Sequence, residues 1–110
     1  LEQGFSYLAK KAHDHGSRIY GATIMPCGNT EYSEKWMQAF EKTRRDVNQW
    51  IRTQSVYDGY FDFDEILKND TVPAYLKEEV HIGDGLHPNT MGGKILAECV
   101  DLSMLTGLDD

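Results

Sequence analysis

The chain has 110 residues, of which 11 are Lys or Arg and 18 are Asp or Glu, so its formal net charge at neutral pH is -7. An acidic protein repels the phosphates of nucleic acids and of anionic membranes, which argues against both as partners. No apolar run reaches the roughly 20 residues that span a bilayer, and residues 1–4 lack the segments of a signal peptide. We therefore expect a soluble protein. Its compartment stays open, secretion and the periplasm included, with any export signal outside these residues.

The first two elements are a helix and a strand. Residues 1–15 place apolar side chains on one helical face, and Gly16 follows at the position of a left-handed cap. Residues 18–25 are rich in β-branched and aromatic side chains and end at Pro26, which predicts a buried strand. A loop over residues 27–32 should follow.

The longest predicted element is a helix over about residues 34–54, because its apolar residues recur at helical spacing. The recurring residues are Trp36, Met37, Phe40, Thr43, Val47, Trp50 and Ile51. Of these we expect Trp36, Phe40, Val47 and Trp50 to lie in the core. The opposite face is predicted to be a solvated, charged surface that includes Glu41, Arg44 and Arg45.

The remaining chain contains a second strand and a last helix. Residues 60–64 alternate aromatic and acidic side chains, a pattern typical of a short strand. Residues 65–82 should be a mostly irregular connection. The last helix should run from about Thr90 to Leu105, with Asn89 or Thr90 as its N-cap.

The order of elements is therefore α-β-α-β-α, which predicts an α/β fold with parallel strands. Two parallel strands are too few for a sheet of this class, which usually has about five strands with helices on both faces. We expect the chain to be the second half of a larger α/β domain, or to complete its sheet by pairing with another chain or with a second copy of itself.

The C-terminal third contains a Gly-rich run, residues 83–89, in which Asp84 and His87 are three residues apart. A carboxylate on one ring nitrogen of an imidazole fixes its tautomer and stabilises its charged form, so that the other nitrogen can take a proton from a hydroxyl. Gly83 and Gly85 permit a tight turn between them. The same spacing also suits a simple capped loop in which Asp84 binds backbone N–H groups.

This run resembles the C-terminal block of the SGNH or GDSL-type serine esterases and lipases, which has the form Asp-x-x-His, usually followed by Pro and a helix with small residues. Here the block is Asp84 to Gly93. Residues 19–26, 44–52 and 61–64 resemble the family's late core strand, the helix after it and the next strand. The resemblance implies the C-terminal half of a flavodoxin-like three-layer α/β/α domain, in which His87 is the general base and Asp84 orients it.

The family's nucleophilic Ser and its oxyanion-hole blocks have no counterpart in these residues. The resemblance therefore implies the C-terminal part of an ester hydrolase that is inactive in isolation and needs no cofactor. Its substrate would be a small-molecule, carbohydrate or lipid ester. The alternative is a non-catalytic binding or assembly module of the same fold.

Three further features bear on ligands. Asn29 and Tyr32 lie in a loop at the carboxyl edge of the predicted sheet, where ligands bind in α/β folds, so they are candidate substrate-binding residues. His13 and His15 are candidate metal ligands with His81 as a third, but the first two lie at a helix end and nothing fixes a third ligand near them, so we predict no metal site. Cys27 and Cys99 are too few and too far apart to form a zinc site or a disulfide framework.

Overall fold

The computed structural model describes residues 1–28 and 30–105. Within these residues the chain forms four α-helices, two β-strands and two single turns of 3-10 helix. In chain order they are α1 (Glu2–Asp14), β1 (Tyr20–Ala22), α2 (Glu34–Thr53), β2 (Gly59–Phe61), α3 (Phe63–Leu67), a 3-10 turn at Glu78–Val80, α4 (Thr90–Cys99) and a 3-10 turn at Leu102–Met104. None of the helices in the described part of the chain is both long and apolar enough to cross a membrane.

The two strands pair in parallel, as predicted, with Tyr20 opposite Gly59 and Ala22 opposite Phe61. β1 is shorter than the predicted strand because side-chain oxygens, and not a neighbouring strand, accept the hydrogen bonds of backbone N–H groups on either side of it. Asp58 accepts a hydrogen bond from the Ile19 N–H at 2.8 Å, and Asn48 accepts one from the Ile24 N–H at 2.7 Å. The sheet therefore extends for three residues only.

The predicted strand over residues 60–64 is wrong beyond Phe61. Asp62 caps the short helix α3 by accepting a hydrogen bond from the Glu65 N–H at 3.2 Å. Its Oδ1 also accepts a hydrogen bond from the Thr23 hydroxyl at 2.9 Å, which ties the start of α3 to the segment after β1. Side-chain capping by Asp thus ends the strand where the alternating pattern would continue it.

Helix α2 begins at Glu34, as predicted, and Ser33 caps it, since the Ser33 hydroxyl accepts a hydrogen bond from the Trp36 N–H at 3.2 Å. The expectation that Trp36 belongs to the core is wrong, because 44% of its surface is exposed. Trp36 instead stacks on Phe40, with ring centroids 5.2 Å apart and planes within 7° of parallel. The buried stripe of α2 lies further along and consists of Arg44, Val47, Asn48 and Ile51.

Arg44 contradicts the prediction of a solvated charged face, since it is only 3% exposed. Its guanidinium forms ion pairs with Asp64 and with Glu41. A buried Arg is tolerated only when it is paired in this way. One residue of the charged face of α2, Arg44, is therefore buried and connects α2 to α3 through Asp64.

The main apolar cluster joins α3, the 3-10 turn at Glu78–Val80 and α4. Leu67, Leu76 and Val80 are fully buried in it, and four partly buried side chains pack against them: Met25, Ile66, Ile95 and Leu96. The segment over residues 65–82, predicted as mostly irregular, thus supplies much of the core. Helix α4 ends at Cys99, six residues before the predicted end, and is followed by the 3-10 turn that Asp101 caps.

The observed architecture is a small mixed α/β arrangement with a two-stranded parallel sheet in the described residues. This agrees with the α/β class and with the parallel strands of the predicted fold. The three-layer, flavodoxin-like arrangement stays a prediction. For the candidate site, the important result is that the apolar cluster holds Val80 and α4 on either side of the loop that contains Asp84 and His87.

Candidate active site

The loop over residues 82–87 is closed at its base by backbone hydrogen bonds. The Ile82 N–H donates to the His87 carbonyl at 3.0 Å, and the Asn89 N–H donates to the Val80 carbonyl at 2.8 Å. Two glycines within the loop have left-handed backbone angles, with φ of +107° at Gly83 and +69° at Gly85. Side chains with a Cβ rarely adopt such angles, so these glycines allow the tight path that the sequence predicts.

Asp84 and His87 are in direct contact inside this loop. The distance from Asp84 Oδ2 to His87 Nδ1 is 2.5 Å. The other carboxylate oxygen, Oδ1, accepts hydrogen bonds from the Leu86 and His87 N–H groups, both at 2.9 Å. The two interpretations of the spacing are therefore compatible, because one oxygen caps the loop backbone while the other binds the imidazole.

These contacts favour the ionised form of Asp84. Chiefly the His87 side chain, and after it the His87 and Leu86 N–H groups, hold the pKa of the Asp84 carboxyl far below its usual range. Both side chains remain accessible, with 37% of Asp84 and 66% of His87 exposed. At neutral pH the pair thus presents a fixed carboxylate to one nitrogen of a largely exposed imidazole.

Asp84 engages Nδ1 of His87, and in the described part of the chain no hydrogen bond to Nε2 is found. A carboxylate on Nδ1 favours the tautomer in which that nitrogen carries the proton and Nε2 has a free lone pair. Chemically, the arrangement can accept a proton at Nε2 while Asp84 stabilises the resulting charge.

Asn89 anchors the loop to α4. Its Oδ1 accepts a hydrogen bond from the Gly92 N–H at 2.8 Å, which confirms the predicted helix cap. Its Nδ2 donates to the carbonyls of Glu79 at 2.9 Å and His81 at 3.1 Å. One side chain therefore connects α4 to the 3-10 turn and to the first residue of the loop.

His81 is a further residue of the site that the sequence did not single out for this role. Its Nδ1 lies 3.0 Å from the Gly83 N and 3.1 Å from the Gly85 N, and accepts a hydrogen bond from each. The only signal in the sequence is an imidazole placed just before the Gly-rich run, and that pattern does not specify which groups it would bind.

The structure brings Tyr32 close to this loop. A cavity of about 600 Å³ is lined by residues 30–32 and by Gly83, Asp84 and Leu86. Tyr32 also stacks on Trp36, with ring centroids 4.4 Å apart. Asn29, the other candidate substrate-binding residue, lies outside the described residues.

A second cavity, of about 350 Å³, adjoins the first through their shared residues Tyr32 and Leu86. Its other lining residues are mostly apolar and come from the segment after β1 and from α2, among them Ile24, Met25, Trp36 and Phe40. The region beside Asp84 is therefore bordered by a mainly apolar surface on the side of α2.

The three histidines that were candidate metal ligands have other partners, and those of His81 are the Gly83 and Gly85 N–H groups. His13 Nε2 lies 2.8 Å from Asp58 Oδ2, and His15 Nδ1 lies 2.8 Å from the Lys11 carbonyl. Within residues 1–28 and 30–105, no group of three or more His, Cys, Asp or Glu side chains is arranged to hold a metal ion.

Comparison with known proteins does not place the chain in a family. No protein-family model matches it, and no curated protein matches it significantly. The similarity to the GDSL-type esterases therefore depends on the motif and the order of elements alone.

Proposed function

We propose that this chain is the C-terminal part of a serine ester hydrolase, in which His87 is the general base and Asp84 orients it. The supporting observation is the 2.5 Å contact between Asp84 Oδ2 and His87 Nδ1, combined with the exposure of the imidazole. An orienting carboxylate on one ring nitrogen and an accessible second nitrogen are what such a base requires.

In the proposed reaction, Nε2 of His87 removes the proton from a serine hydroxyl as its oxygen attacks the carbonyl carbon of the ester. The imidazolium then gives this proton to the departing alcohol, which leaves an acyl-enzyme. Water, deprotonated by the same nitrogen, attacks the acyl group, and return of the proton to the serine oxygen releases the acid. Asp84 stays ionised throughout and stabilises the imidazolium in each half of the reaction.

The nucleophile and the oxyanion donors are proposed to come from outside these 110 residues. The small sheet supports this proposal, since its two parallel strands have three residues each and parallel sheets are normally covered on both faces. Tyr60 of β2 is 38% exposed, so part of the sheet lacks such a cover in the described structure. We propose that the chain is the C-terminal half of a flavodoxin-like three-layer α/β/α domain and is inactive in isolation.

The proposed substrate is a small-molecule, carbohydrate or lipid ester that binds beside Asp84. The 600 Å³ cavity next to this residue is within the size range of small-molecule sites. Tyr32 borders it, and Asn29 belongs to the same loop of the sequence, so both are proposed to contact substrate. The net charge of -7 favours an uncharged ester over an anionic one.

The test is hydrolysis of p-nitrophenyl acetate by the full-length protein. His87→Ala should reduce kcat by about 10² to 10⁴, the usual contribution of a general base. The matched control is His15→Ala, which removes an exposed imidazole near the end of α1 and should leave kcat unchanged. Wild-type turnover by His87→Ala would remove His87 from the mechanism.

A second candidate function is a non-catalytic binding or assembly module that completes its sheet with a partner chain or a second copy. The specific observation in its favour is the shape of the chain, whose radius of gyration is 15.5 Å against about 13 Å for a compact domain of this length. Light scattering on the full-length protein as it elutes from a sizing column, together with the p-nitrophenyl acetate assay, distinguishes the two. A stable dimer that shows no esterase activity would favour this function, and an active monomer would exclude it.

A further inference from the structure

The imidazole of His81 binds the backbone on both sides of Asp84. Its Nδ1 accepts hydrogen bonds from the N–H of Gly83 and the N–H of Gly85, at 3.0 Å and 3.1 Å. A ring nitrogen that accepts from N–H groups cannot itself carry a proton, so the proton of the neutral ring must be on Nε2. We infer that His81, held as the Nε2–H tautomer, is a positioning residue that fixes the orientation of Asp84 towards His87.

This role follows from how the loop divides its N–H groups between two side-chain acceptors. His81 takes the N–H of Gly83 and the N–H of Gly85, whereas Asp84 takes those of Leu86 and His87. The peptide group before Gly83 and the peptide group between Asp84 and Gly85 are thereby held in place, and with them the direction in which the Asp84 side chain leaves the backbone. Gly83 and Gly85 are also the two residues of the loop with left-handed φ angles.

Glycine has many backbone conformations available, so a loop with two of them needs other interactions to keep one conformation. The backbone bond from Ile82 to His87 closes the loop at its base and does not reach Gly83 or Gly85. The Nδ1 contacts of His81 supply hydrogen bonds at those two residues. Without them, we expect Asp84 to spend less time in the geometry that contacts His87.

The second nitrogen of His81 supports the assignment of Nδ1 as the functional atom. Nε2 is buried and has no hydrogen-bond partner among the described residues. The ring is thus oriented by Nδ1, since Nε2 offers no competing hydrogen bond there. A single acceptor in the place of Nδ1 should therefore be enough to hold the loop.

This inference depends on the proposed function only where it concerns turnover, and it is tested first without turnover. In long-range 15N–1H spectra of the wild-type imidazoles, His81 should show an unprotonated Nδ1 and a protonated Nε2. The spectrum of a ring with its proton on Nδ1 would overturn the inference. Because the wild-type protein is used, this measurement does not depend on how any variant folds.

Two amide variants then separate the two nitrogens. The Asn carbonyl oxygen lies two bonds from Cβ, like Nδ1, and the Gln carbonyl oxygen lies three bonds away, like Nε2. His81→Asn should keep the pKa of Asp84, measured by carboxyl NMR, close to that of the wild type. His81→Gln should raise it by about one unit, because Asp84 would lose part of its contact with His87.

In the full-length protein, His81→Gln should reduce kcat about tenfold with little change in KM. His81→Asn should have a kcat close to that of the wild type. An equal pKa of Asp84 in His81→Gln and in the wild type would overturn the positioning role. Failure of the proposed function is a different result. If His87→Ala keeps full activity while His81 shows the expected tautomer and the expected NMR shifts, the esterase proposal fails and the structural role of His81 remains.

Discussion

Arg44 of α2 and Asp64 of α3 form an ion pair that is almost wholly inside the protein. Arg44 is 3% exposed and Asp64 5%. Arg44 also binds Glu41, with Nη2 to Oε1 at 2.5 Å and Nε to Oε2 at 2.8 Å, and Arg52 binds the second oxygen of Asp64 at 2.8 Å. The guanidinium groups of Arg44 and Arg52 therefore bind the same buried carboxylate. These ion pairs connect α2 to α3.

Replacing Arg44 should destabilise the protein strongly. Arg44→Met keeps much of the side-chain volume but leaves the buried Asp64 with one cationic partner, so we expect the free energy of unfolding to fall by about 3 kcal/mol. Urea denaturation measures this change. The control is Arg45→Met, at the exposed neighbouring position, which should change the free energy by less than about 0.5 kcal/mol. Equal effects of the two substitutions would contradict the internal role of Arg44.

Two adjacent glycines of α4 should respond in opposite directions to Ala. A Cβ on Gly92 would collide with the Val80 carbonyl oxygen and approach the Pro88 Cβ to 3.2 Å, whereas a Cβ on Gly93 would have no described atom within 4 Å. We expect Gly92→Ala to cost about 2 kcal/mol by overpacking. Gly93→Ala should stabilise the protein by about 0.5 to 1 kcal/mol, because Ala favours the helix. Thermal unfolding of both variants checks this, and a stable Gly92→Ala protein would show that α4 does not pack closely on Val80.

The side-chain oxygen and the side-chain nitrogen of Asn89 should both contribute to stability. Asn89→Ala removes the cap of α4 and the two bonds from Nδ2, so we expect a loss of about 2 kcal/mol. Asn89→Asp keeps an acceptor for the Gly92 N–H and removes only the donors, and should lose about 1 kcal/mol. Urea denaturation distinguishes them. If the two variants were equally stable, the bonds to the Glu79 and His81 carbonyls would have no role in stability.

The Asp84 carboxyl should make the loop sensitive to acid but not to mild changes of pH. Since its pKa in the folded protein lies below the unfolded value of about 3.9, its stabilising contribution is fully present above that value. The contribution is lost as the pH falls through the folded pKa. The Asp84 carboxyl should therefore show no protonation step by carboxyl NMR between pH 7 and about 5, and should take up its proton only in stronger acid.

His87→Ala should raise the pKa of Asp84 towards its ordinary value, because the His87 side chain is the largest cause of its depression. The rise should be partial, since the N–H groups of residues 86 and 87 still bind Oδ1. The same NMR titration measures it, with His15→Ala as the control. An unchanged pKa of Asp84 in His87→Ala would mean that the two side chains are not in contact in solution.

The sequence was sufficient for features that depend on neighbouring residues. Helical periodicity predicts α1, α2 and α4, and the residue type and position of Asn89 predict the cap of α4. The contact between Asp84 and His87 was also predictable, because it joins residues three apart in a Gly-rich loop. In each case the partner atoms lie within one turn of chain.

The features that were missed depend on residues distant in the chain. Arg44 and Asn48 lie on the buried stripe of α2 because Asp64 and the Ile24 backbone supply polar partners there, and no local pattern identifies those partners. Asp62 ends β2 because it caps α3 and also binds Thr23. Likewise, the contacts of His81 Nδ1 with the Gly83 and Gly85 N–H groups depend on the folded shape of the loop, which the sequence pattern does not specify.

The measurement that tests the central claim most directly is the hydrolysis of p-nitrophenyl acetate by full-length His87→Ala, Asp84→Asn and the double variant. If His87 is the base and Asp84 acts through it, each single substitution should reduce kcat by about 10² to 10⁴. The double variant should then be no slower than His87→Ala, because residues that act as a unit have non-additive effects. Turnover by His87→Ala within a few-fold of the wild type would contradict the proposal.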